Sequence, residues 1–338
     1  MAQQVEQVVL VRRPDGNPRP EDFALREARL PELADGQFLL ENHYLSMDAG
    51  FRQWMSAGSD DNYLGAMPLE APVMSIVLGT VRASRHPGFT EGQVLLARTA
   101  WESWSIADGS DLALPIPVRP GRPLHFYAGS LGLSGFTAHV GFNHICQPKA
   151  GETVVVSAAA GAVGTMVGQF ARIAGCRTIG ITGSADKARW LTDTVGYDAV
   201  INYREPGGVA AGLDRLCPDG LDIYFDNVGA ETLDAALAHM KEGARIALCG
   251  MIAQYGDPAN PAAIRQLWQA ITKRAMLKGF MFSDHMDLFP DYLRWAEAQV
   301  DAGRLHSFDD IHEGIATAAQ AFCSLFDGTN QGKVLVRL

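Results

Sequence analysis

Small residues crowd the point at which an apolar, β-branched run gives way to a helical pattern, in VVVSAAAGAVGTMVGQFARIAGCRTIGITGS at residues 154–184. A dinucleotide pyrophosphate binds at this kind of strand-to-helix turn, because it needs close backbone approach and free N–H groups at a helix N-terminus. Gly161 permits that approach, while Gly164 and Gly168 let the helix pack against the strand. Ala159 stands where the usual fingerprint has its first glycine, so the motif reads A-x-G-x-x-G. Since a strong strand precedes the turn and a βαβ pattern follows it, dinucleotide binding is favoured over the packing of small residues alone.

The end of the next strand indicates which dinucleotide binds. NAD-specific folds carry an Asp or Glu about 20 residues after the motif, where it binds the ribose diol. Here the strand RTIGIT ends in Gly183–Ser184, and the first acid, Asp186, falls inside the helix that follows. A 2′-phosphate is repelled by a carboxylate and held by cations and hydroxyls, and Lys187 is placed to reach it. The pattern predicts NADP(H) as the cofactor, with a solvated helix lysine as the alternative interpretation of Lys187.

The residue types that other chemistries require are missing or scattered. A catalytic zinc is normally held by Cys, His and a further Cys or acid, and none of the cysteines lies near a plausible His partner in the N-terminal part. His43 and His86 are interpreted as surface or core histidines, so we expect a metal-free protein. A G-x-S-x-G hydrolase elbow is also absent from the sequence. Without a Lewis acid to stabilise alkoxide, hydride addition to an activated acceptor such as a conjugated carbonyl is favoured over alcohol oxidation.

Two kinds of element pattern position these residues. Residues 1–125 contain short β-prone runs separated by Gly, Pro and Asp turns, such as QFLLENHYLS and SIVLGTVRAS, and predict a β-rich domain. Residues 126–304 alternate apolar strands with helices from Thr153 onward, which predicts a doubly wound parallel sheet of the Rossmann type, covered on both faces. The tail, 305–338, shows a helix end, a turn and a closing strand that we expect to return to the first domain.

Composition excludes several classes of partner. The 338 residues are 47% hydrophobic and 20% charged with a net charge of −10, which disfavours nucleic-acid and anionic membrane surfaces. No apolar run approaches the ~18 residues of a membrane span, and no apolar segment follows a positive N-terminus as in a signal peptide. The odd, dispersed cysteines do not form a disulfide framework and fit a reduced cytoplasm. We therefore expect a cytoplasmic protein without nucleic-acid or membrane partners. These cysteines are Cys146, Cys176, Cys217, Cys249 and Cys323.

Nine segments in consistent order resemble one family, the zinc-independent medium-chain dehydrogenase/reductases, in the branch of prostaglandin reductases and alkenal/enone double-bond reductases. The segments are LSMDAGFRQWM, LGLSGFTAHVGF, AAAGAVGTMVGQFA, GSADKARWL, INYRE, YFDNVGAETLDAAL, GARIALCGMIAQY, KGFMF and GTNQGKVLV. The resemblance implies a GroES-like β-rich catalytic domain followed by a Rossmann domain, with the C-terminus returning to the first. It also implies a homodimer in which Rossmann sheet edges pair, with ARIALCGM near such an edge.

The resemblance implies a role for individual residues at the cofactor. Ala162 and Val163 would present backbone N–H groups to the pyrophosphate, beside Gly161 and Gly164. Lys187 and Tyr203 would bind the 2′-phosphate, with Arg204 as an additional candidate because the family usually has lysine there. The remaining implied contacts are Asn227 at the nicotinamide or its ribose, the backbone of Cys249 and Gly250, Phe280 and Met281 at the carboxamide, and Asn330 at the phosphates.

On the substrate side, the resemblance implies that Tyr255 points to the substrate carbonyl. Its phenol would donate a hydrogen bond as negative charge develops on that oxygen. The family's substrate-side loop usually reads D-P-Y-M-R, whereas here it is Asp48-Ala49-Gly50-Phe51-Arg52, so the tyrosine hydroxyl is gone. The candidate pocket residues are Tyr44, Phe51, Arg52 and Trp54, for which core packing is the alternative interpretation.

These residues together favour an NADPH-dependent reductase of the carbon–carbon double bond in α,β-unsaturated ketones and aldehydes. Hydride would reach the β-carbon, Tyr255 and the ribose hydroxyl would stabilise the enolate, and solvent would protonate the α-carbon. Two alternatives stay open at this point: an NADPH-dependent quinone oxidoreductase and a non-catalytic NADPH-binding protein. The natural substrate and the hydride face are not determined by the sequence.

Overall fold

The computed structural model describes residues 4–257 and 260–338, and these fall into two compact units. The first unit runs to Gly132 and also takes in Asp309–Asn330 and Val334–Leu338. The second unit comprises Leu133–Phe308 and Gln331–Lys333. The predicted fold class, a β-rich domain together with an α/β domain built on a parallel sheet, is confirmed.

The strands divide between an antiparallel and a parallel arrangement. Those that precede the second unit are β1 (Gln4–Leu10), β2 (Phe23–Arg29), β3 (Phe38–Ser46), β4 (Met74–Ser84), β5 (Val94–Ala100), β6 (Trp104–Ala107) and β7 (Ala113–Pro115). The later ones are β8 (Thr153–Val156), β9 (Arg177–Thr182), β10 (Ala199–Asn202), β11 (Leu221–Asp226), β12 (Met240–Leu248), β13 (Met276–Gly279), β14 (Asp309–Glu313) and β15 (Lys333–Arg337).

The helices are mostly short. They are α1 (His125–Ala128), α2 (Leu133–Ala138), α3 (Ala162–Ile173), α4 (Ala185–Trp190), α5 (Gly208–Leu216), α6 (Ala230–Ala238), α7 (Trp268–Thr272), α8 (Phe289–Asp301) and α9 (Ala318–Asp327). Tighter 3₁₀ turns form Pro20–Asp22, Ala49–Met55, Phe282–Leu288 and Ile315–Thr317, and wider π-helical turns form His139–Cys146 and Leu191–Val195. Within the described ranges, every helix is too short or too polar to span a lipid bilayer.

A sheet in the order β14-β15-β3-β4-β5-β7 organises the first unit, and its strands from β15 to β7 pair antiparallel. Strand β3 lies inside it and alternates more and less buried residues over its first half, because successive side chains point to opposite faces. The C-terminal strand β15 pairs antiparallel with β3, with Val336 opposite Leu45. The tail of the chain therefore completes the sheet that its first part begins.

A parallel sheet in the order β10-β9-β8-β11-β12-β13 organises the second unit. The chain starts at the central strand β8, builds outward to β10, returns to β11 and then builds the other half, which is the doubly wound order. Its strands are short apolar runs because helices cover both faces, and Val155, Ile179 and Ile246 belong to one buried cluster. Nucleotides bind such sheets at the carboxyl edge, where the order reverses between β8 and β11.

Two element boundaries differ from the expected pattern. The sequence QVLLARTAWESWSIAD reads as one β-prone run but forms β5 and β6, with Glu102 lying between them. The helix over AETLDAALAHMKEG ends at Ala238, and Met240 already begins β12. His239 ends this helix, because its ring nitrogen Nδ1 bonds the carbonyl oxygen of Ala235 at 2.7 Å, one of the last carbonyls of the helix.

Candidate functional site

The turn between β8 and α3 has the backbone geometry of an anion site. The N–H of Ala159 donates to Ile181 O at 3.1 Å and the N–H of Gly161 donates to Ala158 O at 3.0 Å, which holds the turn closed. The N–H of Thr165 donates to Gly161 O at 3.0 Å, so the first intrahelical bond begins there. The N–H groups of Ala162 and Val163 therefore have no carbonyl partner within the helix, and both residues are partly exposed. Such N–H groups bind phosphate oxygens.

The two glycines of the motif differ in what surrounds them. A Cβ added at Gly164 would collide with Ala158 O and would lie 2.7 Å from Ala159 Cα. A Cβ added at Gly161 would meet only Ala158 O, at 3.3 Å, and Gly161 has an ordinary φ of −88°. Gly164 is thus required by the packing of helix on turn, whereas Gly161 keeps open the space in front of the turn. A cradle of this kind fits a pyrophosphate group.

A buried polar network joins the ends of β8 and β11. The Asp226 carboxylate is fully buried and accepts from Ser157 Oγ at 3.0 Å, Tyr224 Oη at 2.9 Å and the N–H of Gly229 at 3.0 Å. Burial raises the pKa of Asp226, and these hydrogen bonds partly oppose that rise. Asn227 donates from Nδ2 to Ser157 O at 2.8 Å, which fixes its amide group against the end of β8. The network fixes both strand ends at the edge where a nucleotide binds.

Cys249 and Gly250 follow β12 at the same edge. Their backbone N–H groups both donate to Asp226 O, at 2.9 and 3.1 Å. Burial, and secondarily the nearby Asp226 charge, raises the pKa of the Cys249 thiol to about 12. A thiol in this state is a poor nucleophile, which leaves Cys249 a role in shape and backbone position.

Tyr255 lies beside this strand end. Its Oη accepts a hydrogen bond from the N–H of Met251 at 3.0 Å, which leaves the phenolic proton to be donated elsewhere. A Cβ added at Gly250 would lie 3.0 Å from this Oη, so the hydroxyl sits next to Gly250. Burial raises the pKa of Tyr255 to about 12, despite the opposing hydrogen bond from Met251. The hydroxyl therefore remains a hydrogen-bond donor across the neutral range.

The end of β9 carries the residues predicted for a 2′-phosphate. Ser184 caps α4 by accepting from the N–H of Lys187 at 3.2 Å, and the Lys187 side chain is half-buried. Tyr203 is 49% exposed, and a Cβ at Gly183 would lie 2.5 Å from its hydroxyl. The guanidinium carbon of Arg204 lies 5.8 Å from the Tyr203 ring centroid. Two cations and a phenol therefore flank a strand end that lacks an acid.

Three further cofactor candidates lie in different settings. The Phe280 ring packs edge-on against Phe225 at 6.3 Å and over Gly141, where an added Cβ would lie 2.6 Å from it. Met281 caps the 3₁₀ turn Phe282–Leu288 in an extended conformation. Asn330 is buried in the first unit, in the turn that follows α9.

The first unit holds the predicted pocket residues, and Arg52 differs from the others. It is 1% exposed, and its guanidinium donates to Pro14 O at 2.9 Å, Gly16 O at 2.7 Å and Ser56 Oγ at 2.9 Å. Burial lowers the pKa of Arg52, with Asp22 opposing. With its donors engaged in this way, Arg52 ties the 3₁₀ turn to the preceding loop.

The aromatic candidates form a different arrangement. Tyr44 is buried on β3 with its ring 6.3 Å from that of His125. The Phe51 ring lies 6.3 Å from Trp54, and Trp54 lies 5.8 Å from Tyr63. Tyr63 was not predicted as a site residue, because it stands in a polar, glycine-rich loop that gives no periodic signal.

The histidines considered as metal ligands have other partners. His43 Nε2 bonds Thr80 Oγ1 at 2.8 Å, and burial lowers its pKa. His86 Nδ1 accepts from the N–H of Gly88 at 2.9 Å. Across residues 4–257 and 260–338, no three His, Cys, Asp or Glu side chains group as ligands for a metal ion.

Ser157 is the residue that sequence reasoning missed. It is fully buried, and its Oγ accepts from the N–H of Asn227 at 2.8 Å while it donates to Asp226. The available signal was a single hydroxyl directly after the apolar run VVV, at the strand end that leads into the nucleotide turn. A polar residue there indicates a partner on the neighbouring strand.

One unit is a doubly wound sheet with a phosphate-binding turn at its carboxyl edge, and the other unit is β-rich and mainly antiparallel. This combination defines the class of two-domain dinucleotide-binding proteins. Two family models match: "N-terminal domain of oxidoreductase" over residues 6–114 and "Zinc-binding dehydrogenase" over residues 162–298. The chain belongs to the medium-chain dehydrogenase/reductase family, in its zinc-independent branch of alkenal and enone double-bond reductases.

Individual relatives match over nearly the whole chain. The 2-alkenal reductase (NADP(+)-dependent) of Nicotiana tabacum is 37% identical, covering 99% of this chain and 98% of that protein. The NADPH-dependent curcumin reductase of Escherichia coli is 35% identical, covering 98% and 96%. The crystal structure of CurA from Vibrio vulnificus in complex with NADPH is similar with a TM-score of 0.89 at 36% identity, covering 98% of each chain.

Proposed function

We propose that this protein is an NADPH-dependent reductase of the carbon–carbon double bond in α,β-unsaturated ketones and aldehydes. The observation that carries the proposal is the Tyr255 hydroxyl, which lies beside Gly250 after β12 with its oxygen already accepting from the N–H of Met251. The named activities of the tobacco and Escherichia coli relatives support it.

The chain's own groups account for cofactor binding. The N–H groups of Ala162 and Val163 bind the pyrophosphate, and Gly161 leaves room for it. Lys187, Tyr203 and Arg204 bind the 2′-phosphate by charge-assisted hydrogen bonds, which NADH would not form.

Residues at the ends of other strands would contact the nicotinamide end of the cofactor. Asn227 would contact the nicotinamide ribose or ring, and the backbone of Cys249 and Gly250 would line the ring. Phe280 and Met281 bind the carboxamide by main-chain groups, with the Phe280 ring fixed by its packing on Phe225. These contacts determine where the reacting carbon is presented.

The reaction divides between the cofactor and the protein. NADPH, when bound, supplies the hydride that reaches the β-carbon of the conjugated acceptor. Tyr255 donates its hydrogen bond to the carbonyl oxygen, which gains negative charge as the enolate forms. Because the pKa of Tyr255 is raised to about 12, the phenol keeps its proton while doing so. Solvent then protonates the α-carbon, so the rate depends on positioning and oxyanion stabilisation.

Replacement of Tyr255 by Phe tests the proposal. We expect kcat/KM for an enone to fall by about 10²–10³, the usual effect of removing one oxyanion donor. The dissociation constant for NADPH should stay unchanged, because the hydroxyl acts on the acceptor. The measurement is NADPH consumption, followed by the loss of nicotinamide absorbance, with panels of enals, enones and quinones, alongside a fluorescence titration with NADPH.

The panel separates the alternatives. Turnover of quinones but not of any enone, with Tyr255→Phe fully active, would replace the proposal by a quinone oxidoreductase. Tight NADPH binding without oxidation by any acceptor would indicate a non-catalytic NADPH-binding protein. Enone reduction that depends on Tyr255 supports the proposal.

A further inference from the structure

The Asp226 carboxylate is a buried acidic group that the proposed reaction does not use. It lies at the end of β11 and is 0% exposed. Its Oδ1 accepts four hydrogen bonds at 2.9–3.1 Å, from Ser157 Oγ, Tyr224 Oη and the N–H groups of Val228 and Gly229. Its Oδ2 accepts from the N–H of Gly229 at 3.2 Å. All of these donors are neutral, so hydrogen bonds satisfy the carboxylate without a cation beside it in the described part of the chain.

The hydrogen bonds favour the ionised form of this group. Burial raises the pKa of Asp226, and the hydrogen bonds from the two backbone N–H groups and the two hydroxyls oppose that rise. A carboxylate that accepts several such bonds can keep its charge inside a protein. An uncompensated charge in a surrounding of low dielectric constant acts strongly on its neighbourhood. It therefore favours a ligand that brings a positive charge close to it.

The backbone of Asp226 also fixes the residues that follow β12. The N–H groups of Cys249 and Gly250 donate to Asp226 O at 2.9 and 3.1 Å. Burial is the main cause of the raised pKa of Cys249 and of Tyr255, and the negative charge of Asp226 adds to both. Asn227 is the next residue in the chain. The residues assigned above to the nicotinamide thus lie within the electric field of one buried carboxylate.

We propose that the Asp226 carboxylate stabilises the positive charge that the nicotinamide ring acquires on oxidation. The ring is neutral in NADPH and carries one positive charge in NADP⁺, because an electron pair leaves with the hydride for the β-carbon of the acceptor. A fixed negative charge in a buried setting stabilises such a charge without having to rearrange. This inference rests on the proposed function, which assigns the nicotinamide to Asn227, Cys249 and Gly250. It adds a reason why the bound cofactor donates hydride.

The test compares the dissociation constants of NADP⁺ and NADPH, measured by calorimetric titration without any acceptor. Asp226→Asn and Asp226→Ser both remove the charge. Each should weaken the binding of NADP⁺ relative to that of NADPH about tenfold, the order expected for one charge acting across a few ångströms of protein. Asparagine can keep the four bonds to Oδ1 through its own carbonyl oxygen, and serine is smaller, so the two variants change the shape of the site in different ways.

Asp222→Asn is the matched control. Asp222 lies near the opposite end of the same strand, β11, and its Oδ2 is 2.7 Å from Lys241 Nζ. Because this carboxylate has a cation beside it and is remote from the carboxyl edge of the sheet, its replacement should leave the ratio of the two dissociation constants unchanged. Thermal unfolding checks that each variant folds.

The outcomes distinguish this inference from the proposed function. An unchanged ratio in both Asp226 variants, with wild-type protein binding both nucleotides, would overturn the role of Asp226 and leave the proposed function standing. A shift in only one of two folded variants would also overturn it, since shape rather than charge would then decide. If only one variant folds, its ratio alone decides. If wild-type protein bound neither nucleotide, the proposed function would fail and this inference with it.

Discussion

Lys187 combines two properties that a nucleotide-selecting residue needs. It follows a strand end without a carboxylate, and its backbone N–H is fixed by the Ser184 cap, so the side chain starts from a defined position. The neighbouring Tyr203 and Arg204 supply further donors to the same strand end. We propose that the choice of NADPH over NADH depends on these few side chains at the end of β9.

Lys187→Ala should weaken NADPH binding about 10–100-fold, the effect of losing one hydrogen bond to a charged group, and leave NADH binding unchanged. The reason is that NADH lacks the 2′-phosphate. Fluorescence titration with both nucleotides measures this. Arg189→Ala is the matched control, because Arg189 lies on the same helix and pairs with Asp186. Equal weakening of both nucleotides would contradict the assignment.

Glu102 is an ionisable residue outside the cofactor site whose protonation should affect stability. Burial raises its pKa to about 7, partly opposed by a hydrogen bond with Ser105. Because the folded protein then binds a proton more tightly than the unfolded chain, stability falls as the pH rises from about 4.5 to about 7 and is level above that range. The loss is on the order of 3 kcal/mol, since the pKa rises from 4.5 to about 7 and one pKa unit corresponds to about 1.4 kcal/mol.

Glu102→Gln should therefore be more stable than wild-type protein at pH ~8.5, by an amount on the order of 3 kcal/mol, and nearly equal to it at pH ~5. Urea denaturation at the two pH values measures the difference. Glu91→Gln, at an exposed position in the same unit, is the control and should show no such pH dependence. A constant difference between Glu102→Gln and wild type at both pH values would show that Glu102 does not titrate in this range.

At the scale of elements, the junction of β8 with α3 contains two glycines with different roles, one in packing and one in nucleotide binding. Gly164 touches Ala158 and Ala159 so closely that a methyl group has no place, whereas a methyl group at Gly161 would meet only Ala158 O, at 3.3 Å, a tight contact but not a collision. Tyr197 strengthens the same junction by donating from Oη to Gly164 O at 2.7 Å. The helix start is thus held rigidly in the orientation that presents its N–H groups.

Alanine at these two positions should give opposite results. Gly164→Ala should destabilise the protein by about 1–3 kcal/mol, because an added methyl group overpacks the junction. Gly161→Ala should keep a near-wild-type free energy of unfolding but raise the dissociation constant for NADPH about tenfold, because its methyl group faces the pyrophosphate. Urea denaturation and nucleotide titration measure the two effects. If Gly161→Ala bound NADPH normally, the turn would not be the phosphate site.

At the scale of the whole molecule, the parallel sheet ends in the described part of the chain at β13, whose outer edge has no neighbouring strand. Strand β12, which contains residues 244–248 of the segment ARIALCGM, lies one strand inside that edge. Next to β13, helix α7 exposes Trp268 at 68% and Ile271 at 66%. Edge strands and exposed apolar patches both favour association, so we propose that two copies pair through this edge.

Trp268→Glu combined with Ile271→Glu should convert a homodimer into a monomer, because the two carboxylates would be buried without partners at the interface. Sedimentation equilibrium measures the mass. Leu25→Glu, a change at a similarly exposed apolar residue of β2, is the control and should leave the dimer intact. A monomeric wild-type protein, or a double variant that stays dimeric, would refute pairing through this edge.

The sequence by itself determined the order of strands and helices, the nucleotide turn and the absence of an acid after β9. These are local properties: periodicity, β-branching and turn residues are readable within a dozen or so positions. The order of helix and strand also implies the parallel sheet, because parallel strands require crossover connections. The altered loop Asp48-Ala49-Gly50-Phe51-Arg52 was likewise visible in the sequence. That an added Cβ at Gly50 would meet no atom of the described residues within 4 Å was visible only in the structure.

Only the tertiary structure decided which polar and small residues serve which purpose. Arg52, a pocket candidate from the sequence, donates to carbonyl groups at Pro14 and Gly16, and Ser157 joins Asp226 and Asn227 across neighbouring strands. Partners this distant in the chain are brought together by burial, which requires every polar group to be satisfied by whatever lies nearby in space. No local pattern encodes that neighbourhood, and so the distinct roles of chemically similar residues emerge only when the chain is folded.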